Sequence, residues 1–522
     1  MTSCQNGDRL SWGDALFLYL EREGMPMNIA SVGVFEGEIS LEACTQFIDS
    51  KLPLLPRYYQ RVVPPPLNIG FPAWEYDPDF DVHNHIREVT LKRGTEKELQ
   101  ADAATILSTT MDRQRPLWDF TLVRGLRGDR TAIVVRIHHC LADGIAGVGL
   151  MNVLMDPSPE PRPVSKKKRP RQPRRQHDPL TLLLDGWVST YSDVVQRLLR
   201  AQSDVVNIGG RTLAGGDWPT DQFARLLPEL TAPTERLFFN ATYQGPQKFA
   251  WAQVPLAQIK AIREKCGGTH NDVVLAVMTA TIRRYAELHG DKVKGRLLRM
   301  MVPVSFRGSD DKPTELGNRI SLLPLTVPMG IRNPRRLLKA VHDRMEFLKQ
   351  AHIAEWVGLA GGLLGTAPAP LQAVLGPVAS LLPITPFNLV CTNVRGPQFP
   401  LYLFGHKMLD WYPYVPVGGE MAVNCAILSY NDVTYFGFSG DAHVAPDLGR
   451  LEDLLKLSFA ELLQAAGITA PHPKKPEKAK PRPARGLRLR SPASASTPAI
   501  PPQPVQQTVA KPEELPLPVA AD

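Results

Sequence analysis

Cysteine is scarce in this 522-residue chain, and its six thiols, Cys4, Cys44, Cys140, Cys266, Cys391 and Cys425, are scattered with no CxxC spacing. That pattern excludes a zinc ribbon and a small disulfide framework, and reduced thiols are expected. Also missing is the apolar core that a secretory signal needs near the N-terminus, so nothing directs export. The longest apolar region, residues 356–389, is broken by glycines and prolines and makes a poor spanning helix. Any membrane contact is expected to be peripheral. There is no internal repeat. Positive charge is in excess at +8, but residues 157–178 hold +6 and residues 471–522 hold +5, which leaves −3 for the rest. A globular body with that balance is not a nucleic-acid binder.

What is present points to a soluble globular protein, with 43% hydrophobic and 21% charged residues, too long for one core. The most informative stretch is residues 132–150. Residues 132–137 are a β-branched, largely apolar run interrupted by Arg136, and from Gly144 apolar residues recur at helical spacing. Two adjacent histidines, His138 and His139, therefore end a strand, and Asp143-Gly144 opens a helix. Alternation sends one imidazole toward the crevice where α/β sheets bind substrates and the other toward structure. A buried histidine pair with a helix-capping aspartate is the bland alternative. A second adjacent His makes a chance HHxxxDG match rare, about 0.001 expected in this composition. No third ligand stands at zincin spacing, so no metal is expected. Neutral imidazole suits a general base that takes up and returns a proton near pH 7. Cys140 is better read as structural than as a nucleophile.

Residues 138–144, His-His-Cys-Leu-Ala-Asp-Gly, resemble the HHxxxDG signature of the CoA-dependent acyltransferase superfamily. Residues 115–118 (Arg-Pro-Leu-Trp), 271–276 (Asn-Asp-Val-Val-Leu-Ala), 303–307 (Pro-Val-Ser-Phe-Arg), 317–318 (Gly-Asn) and 393–397 (Asn-Val-Arg-Gly-Pro) narrow this. Together they resemble the bacterial wax ester synthase/acyl-CoA:diacylglycerol acyltransferase family, in the same order, over roughly residues 8–467. The resemblance implies an α/β (α+β) fold of two chloramphenicol-acetyltransferase-like domains with mixed sheets and the active site in a channel between them. It implies transfer of a long-chain acyl group from acyl-CoA to diacylglycerol or a fatty alcohol, with no cofactor. His139 would be the general base, His138 a support, and Asp143 a structural residue paired with Arg307, with Gly144 completing the motif. Pro116, Leu117, Trp118, Asn271, Asp272 and Asn393 would contact substrate. Asn271, at a helix N-terminus, is a candidate oxyanion donor or simply a polar first-turn residue. His270 and the segment 239–249 depart from the family pattern. The other readings are a condensation-type or polyketide-associated acyltransferase with a carrier-bound donor, and a non-catalytic lipid-binding protein.

The expected organisation is a first domain at 1–155, a basic Pro-rich linker at 156–179, a helical crossover at 180–231, a second domain at 232–467 and a disordered basic tail at 468–522. Helices are expected from a Ser11 cap, over 41–52, 96–109 and 256–265, from a Thr269/Asp272 capping box to 288, from Asn333-Pro334 to 351, and over 446–466. Strands are expected at 29–35, 86–91, 119–123, 249–254, 296–304, 320–327, 387–394, 421–429 and 433–440. The basic segments suggest a peripheral place at the inner membrane face or on lipid inclusions.

Overall fold

The computed structural model describes residues 9–65, 71–160, 234–305, 320–351, 353 and 387–468. Its first helix, α1 (Trp12–Leu20), begins where Ser11 Oγ accepts the Asp14 N–H at 3.1 Å. It stops at Glu21, where the backbone turns extended. There follow β1 (Asn28–Glu36), α2 (Leu41–Lys51), a hairpin of β2 (Gln60–Val63) and β3 (Ala73–Tyr76), and β4 (Ile86–Thr90). Then come α3 (Glu96–Leu107), β5 (Trp118–Leu126), β6 (Arg130–His138) and α4 (Gly144–Leu154).

β6 is buried almost throughout because it runs inside a sheet, antiparallel to β1 on one side and β5 on the other. The charge in its middle is explained by register. Arg136 stands opposite Asp119 of β5 and donates from Nε to Asp119 Oδ1 at 2.8 Å, and from Nη1 to Thr109 O at 2.9 Å. A guanidinium is tolerated at that depth because a carboxylate and a carbonyl satisfy it.

The second half contributes β7 (Gln247–Pro255), α5 (Leu256–Cys266), α6 (His270–Leu288), β8 (Leu297–Ser305), β9 (Ile320–Pro328) and α7 (Pro334–Gln350). It continues through β10 (Leu389–Arg395), β11 (Tyr402–Leu403), β12 (His406–Tyr414), β13 (Val423–Tyr430), β14 (Val433–Asp441) and α8 (Arg450–Ala465). The capping box of α6 forms as its sequence predicts, and Asn333 Oδ1 caps α7 ahead of Pro334.

Two six-stranded mixed sheets result. The first runs β11-β12-β1-β6-β5-β4, with only β4 and β5 parallel; the second runs β7-β14-β13-β10-β8-β9, with β10 parallel to both β13 and β8. This is the mixed α+β architecture expected, although β2, β3, β11 and β12 have no counterpart among the expected strands. No strand is expected at 406–414, because Asp410 and Pro413 break its apolar alternation. In the fold that segment is β12, which leaves the second half to pair with β1 in the first sheet. Beyond two-residue β11 its outer edge has no ladder partner among the described residues, so an edge strand is where a proline such as Pro413 is tolerated.

β12 also lies against the second sheet. A Cβ on Gly437 of β14 would sit 1.7 Å from Pro413 O, so only glycine allows that approach. Nearby, the Trp251 ring stacks on Tyr412 at 4.4 Å, and its indole N–H donates to Glu96 Oε1 of α3 at 2.6 Å. The two sheets thus belong to one compact unit. The helical crossover expected over 180–231, the basic stretch beyond residue 160, the apolar region before residue 387 and the tail lie outside the described residues.

Candidate active site

Residues of both sheets bound a cavity of about 510 Å³. Its walls are largely apolar, with Ile29 of β1, Ile137 of β6, Met151 of α4 and Ile427 of β13 among them. Polar groups are few: Ser31, His139, Asn271, Thr392, Asn393 and Arg395. An apolar chamber with a handful of convergent polar side chains is the usual form of a small-molecule site.

The two histidines part at the end of β6. His138 is fully buried away from the cavity, while His139 lines it. His138 Nδ1 accepts the Cys140 N–H at 3.1 Å, so the proton of the neutral ring sits on Nε2, which faces Glu21 Oε2 at 3.2 Å. Glu21 follows α1 directly and accepts further hydrogen bonds from Met27 N–H at 3.1 Å and Arg113 Nη2 at 3.0 Å. Burial alone would raise its pKa, but the His138 Nε2 proton, the Met27 N–H and the Arg113 charge hold it down to about 2. His139 is held from the same side. Its N–H donates to Met27 O at 2.9 Å, and its ring stacks flat on Phe17 of α1, centroids 3.8 Å apart. One short segment, residues 17–27, therefore fixes the backbone and both rings of the pair.

The rest of the motif builds the turn. Asp143 is fully buried and caps α4, with Oδ1 accepting the Ala146 N–H at 2.7 Å. Its expected partner, Arg307, lies outside the described residues, as do Gly317 and Asn318. Gly144 lines the cavity, and a Cβ there would meet Val394 Cγ2 of the opposite sheet at 3.3 Å. Cys140 is buried off the cavity, and burial pushes its thiol pKa well up, so it remains a protonated structural residue.

Among the expected substrate contacts, Asn271 and Asn393 line the cavity and pair across it, with Asn393 Nδ2 donating to Asn271 Oδ1 at 2.9 Å. That leaves the Asn271 amide N–H₂ as a donor. Asp272 is a correction: it turns inward, accepting the Thr269 N–H and contacting His342 Nδ1, both at 2.8 Å. Pro116, Leu117 and Trp118 likewise do not border the cavity. Leu117 acts through its carbonyl, which accepts the His138 N–H at 3.0 Å. Trp118 is a core residue, stacked on His85 at 4.3 Å and donating its indole N–H to Tyr58 O at 2.8 Å. An indole needs such a partner to be buried, and β5 supplies the position.

Sequence reasoning missed Phe17, Glu21 and Arg113. Nothing local separates Glu21 from Glu23, since both read as charges at a helix end. Among the described residues, no three His, Cys, Asp or Glu side chains gather as a metal site would require.

Residues 10–274 match the wax ester synthase/diacylglycerol acyltransferase catalytic domain, and residues 316–463 match the WS/DGAT C-terminal domain. The probable diacylglycerol O-acyltransferase tgs1 of Mycobacterium tuberculosis is 29% identical over 456 residues, 86% of this chain and 94% of that protein. Its counterpart tgs2 from the same organism is 28% identical, covering 88% of this chain and 100% of its own. A solved wax ester synthase/diacylglycerol acyltransferase from Marinobacter aquaeolei VT8 superposes with a TM-score of 0.61 at 25% identity, over 88% of this chain and 100% of that one. The first condensation domain of the calcium-dependent antibiotic synthetase superposes at 0.54 with 16% identity, over 88% and 97%, a likeness of fold.

Proposed function

The chain belongs to the wax ester synthase/diacylglycerol acyltransferase family, and from that premise we propose that it moves a long-chain acyl group from acyl-CoA to its acceptor with His139 as general base. It is an acyltransferase whose acceptor is diacylglycerol or an alcohol. One observation carries the assignment: of the two motif histidines, His139 alone borders the cavity, while His138 is turned into a buried network with Glu21.

In the proposed step His139 takes the proton of the acceptor hydroxyl as its oxygen attacks the thioester carbon. The carbonyl oxygen becomes an oxyanion, for which the free Asn271 amide N–H₂ is a suitable donor. When the C=O re-forms, the C–S bond breaks, and the imidazolium returns its proton to the thiolate of CoA. Ester and free CoA are released, with no acyl-enzyme and no cofactor. No helix among the described residues is long and apolar enough to cross a membrane. Contact with the lipid surface that holds a water-insoluble acceptor is proposed to be peripheral, through the basic segments at 157–178 and 471–522.

The test is thiol release from palmitoyl-CoA with dioleoylglycerol or hexadecanol. His139→Ala is expected to lower the rate by about 10² to 10⁴, the usual effect of losing a general base. His138→Ala should retain part of the activity, because its ring only holds the loop. Equal residual rates in the two variants would overturn the assignment.

A further inference from the structure

The β10 end of the cavity carries positive charge that the proposed chemistry does not use. Arg395, the last residue of β10, is exposed and also lines the cavity, so it marks a mouth. α6 begins beside that mouth: its second residue, Asn271, lines the cavity, and its first, His270, is half-buried. Only residues 267–269 separate α6 from α5, whose last two turns carry the exposed Lys260 and Arg263. The charges acting on His270 from the described residues are all positive. Burial first, then Arg395, Arg263 and Lys260, bring its pKa down to about 4. Lys260, Arg263 and Arg395 form no ion pair with a described residue, and neither does the exposed Glu264 next to Arg263. The carboxylate of Asp272 is turned inward to Thr269 and His342 and does not offset them. Like charges repel at rest, and a concave mouth lined by one sign concentrates ligands of the other.

We propose that Lys260, Arg263 and Arg395 receive the phosphate groups of the acyl-CoA donor at this mouth, leaving the pantetheine arm to carry the thioester along the cavity past Asn271 toward His139. The inference rests on acyl-CoA being the donor. Diacylglycerol and fatty alcohols carry no phosphate, so the same charge distinguishes the donor's entrance from the acceptor's.

The experiment compares palmitoyl-CoA with palmitoyl-N-acetylcysteamine, which presents the same thioester without phosphates, in full-length wild type, Lys260→Ala/Arg263→Ala and Arg395→Gln. The readout is the ratio of kcat/KM for the two donors. It is expected to fall about five-fold for each charge removed, the factor that one solvent-screened contact supplies. The α5 double variant changes only exposed side chains, so it keeps the question open to test should Arg395→Gln fail to fold. An unchanged ratio in both variants overturns the proposal. So does an unchanged ratio accompanied by lost sedimentation with phosphatidylglycerol vesicles, which assigns the rim to lipid headgroups. A wild type that acylates from N-acetylcysteamine but releases no thiol from palmitoyl-CoA overturns instead the donor reading underneath.

Discussion

Replacing Glu21 by Gln tests whether the pair of histidines is held from α1. The carboxylate accepts on both oxygens: Met27 N–H and the His138 Nε2 proton meet Oε2, and Arg113 meets Oε1. A carboxamide offers one acceptor and one donor, so whichever way it turns a donor faces a donor. The fall from 4.5 to about 2 in the folded state corresponds to about 3 kcal/mol, and nearer 2 once the solvent screening of half-exposed Arg113 is allowed for. Because the folded pKa is the lower one, this stabilisation is complete above about 4.5 and is lost as pH falls toward about 2. Glu21→Gln is therefore expected to melt about 2 to 3 °C below wild type at pH 7, and less than half as far below at pH 3. Function should suffer too, since Met27 carries the constraint to the His139 backbone. Thiol-release assays are expected to show kcat down about ten-fold. Exposed Glu23→Gln is the control, within about 0.5 kcal/mol of wild type. A Glu21→Gln enzyme with wild-type kcat, or with the same melting deficit at pH 7 and pH 3, refutes the reasoning.

Two further outcomes are expected. Gly437→Ala places a methyl 1.7 Å from Pro413 O, so either β12 or β14 must move; soluble yield and apparent Tm should both fall sharply, and a well-folded, fully active Gly437→Ala would show that the sheets do not meet there. Deleting residues 157–178 and 471–522 should weaken sedimentation with anionic liposomes and remove its salt dependence, while activity on a dispersed short-chain acceptor persists. Undiminished binding after deletion would dismiss the electrostatic proposal for those segments.

Local chemistry was legible from the sequence and long-range chemistry was not. Ser11, Thr269 with Asp272, and Asn333-Pro334 announce helix starts because a cap is satisfied within three residues. The strand–histidine–helix order of residues 132–154 reads for the same reason, and it brings His139 to the cavity. Glu21 meets His138 across 117 positions of sequence, and the carboxylate carries no mark of its partner. Trp118 invited a substrate role, yet its indole satisfies Tyr58 O inside the core. β12 was obscured because a proline and an aspartate are acceptable on an edge that lies under another sheet, a circumstance its own nine residues do not encode.

That exchanged strand bears on how the chain is made. β6 is complete when residue 138 is synthesised, but β1 keeps one bare edge until β12 arrives at residue 414. At ordinary translation speeds of roughly 5 to 20 residues per second, that interval lasts on the order of 15 to 55 s. Throughout it the nascent N-terminal half presents β1 as an open template for stray pairing on the ribosome. A gene fragment ending before residue 406 inherits that state permanently and is expected to aggregate when expressed, whereas supplying the later half in the same cell gives it the strand it lacks.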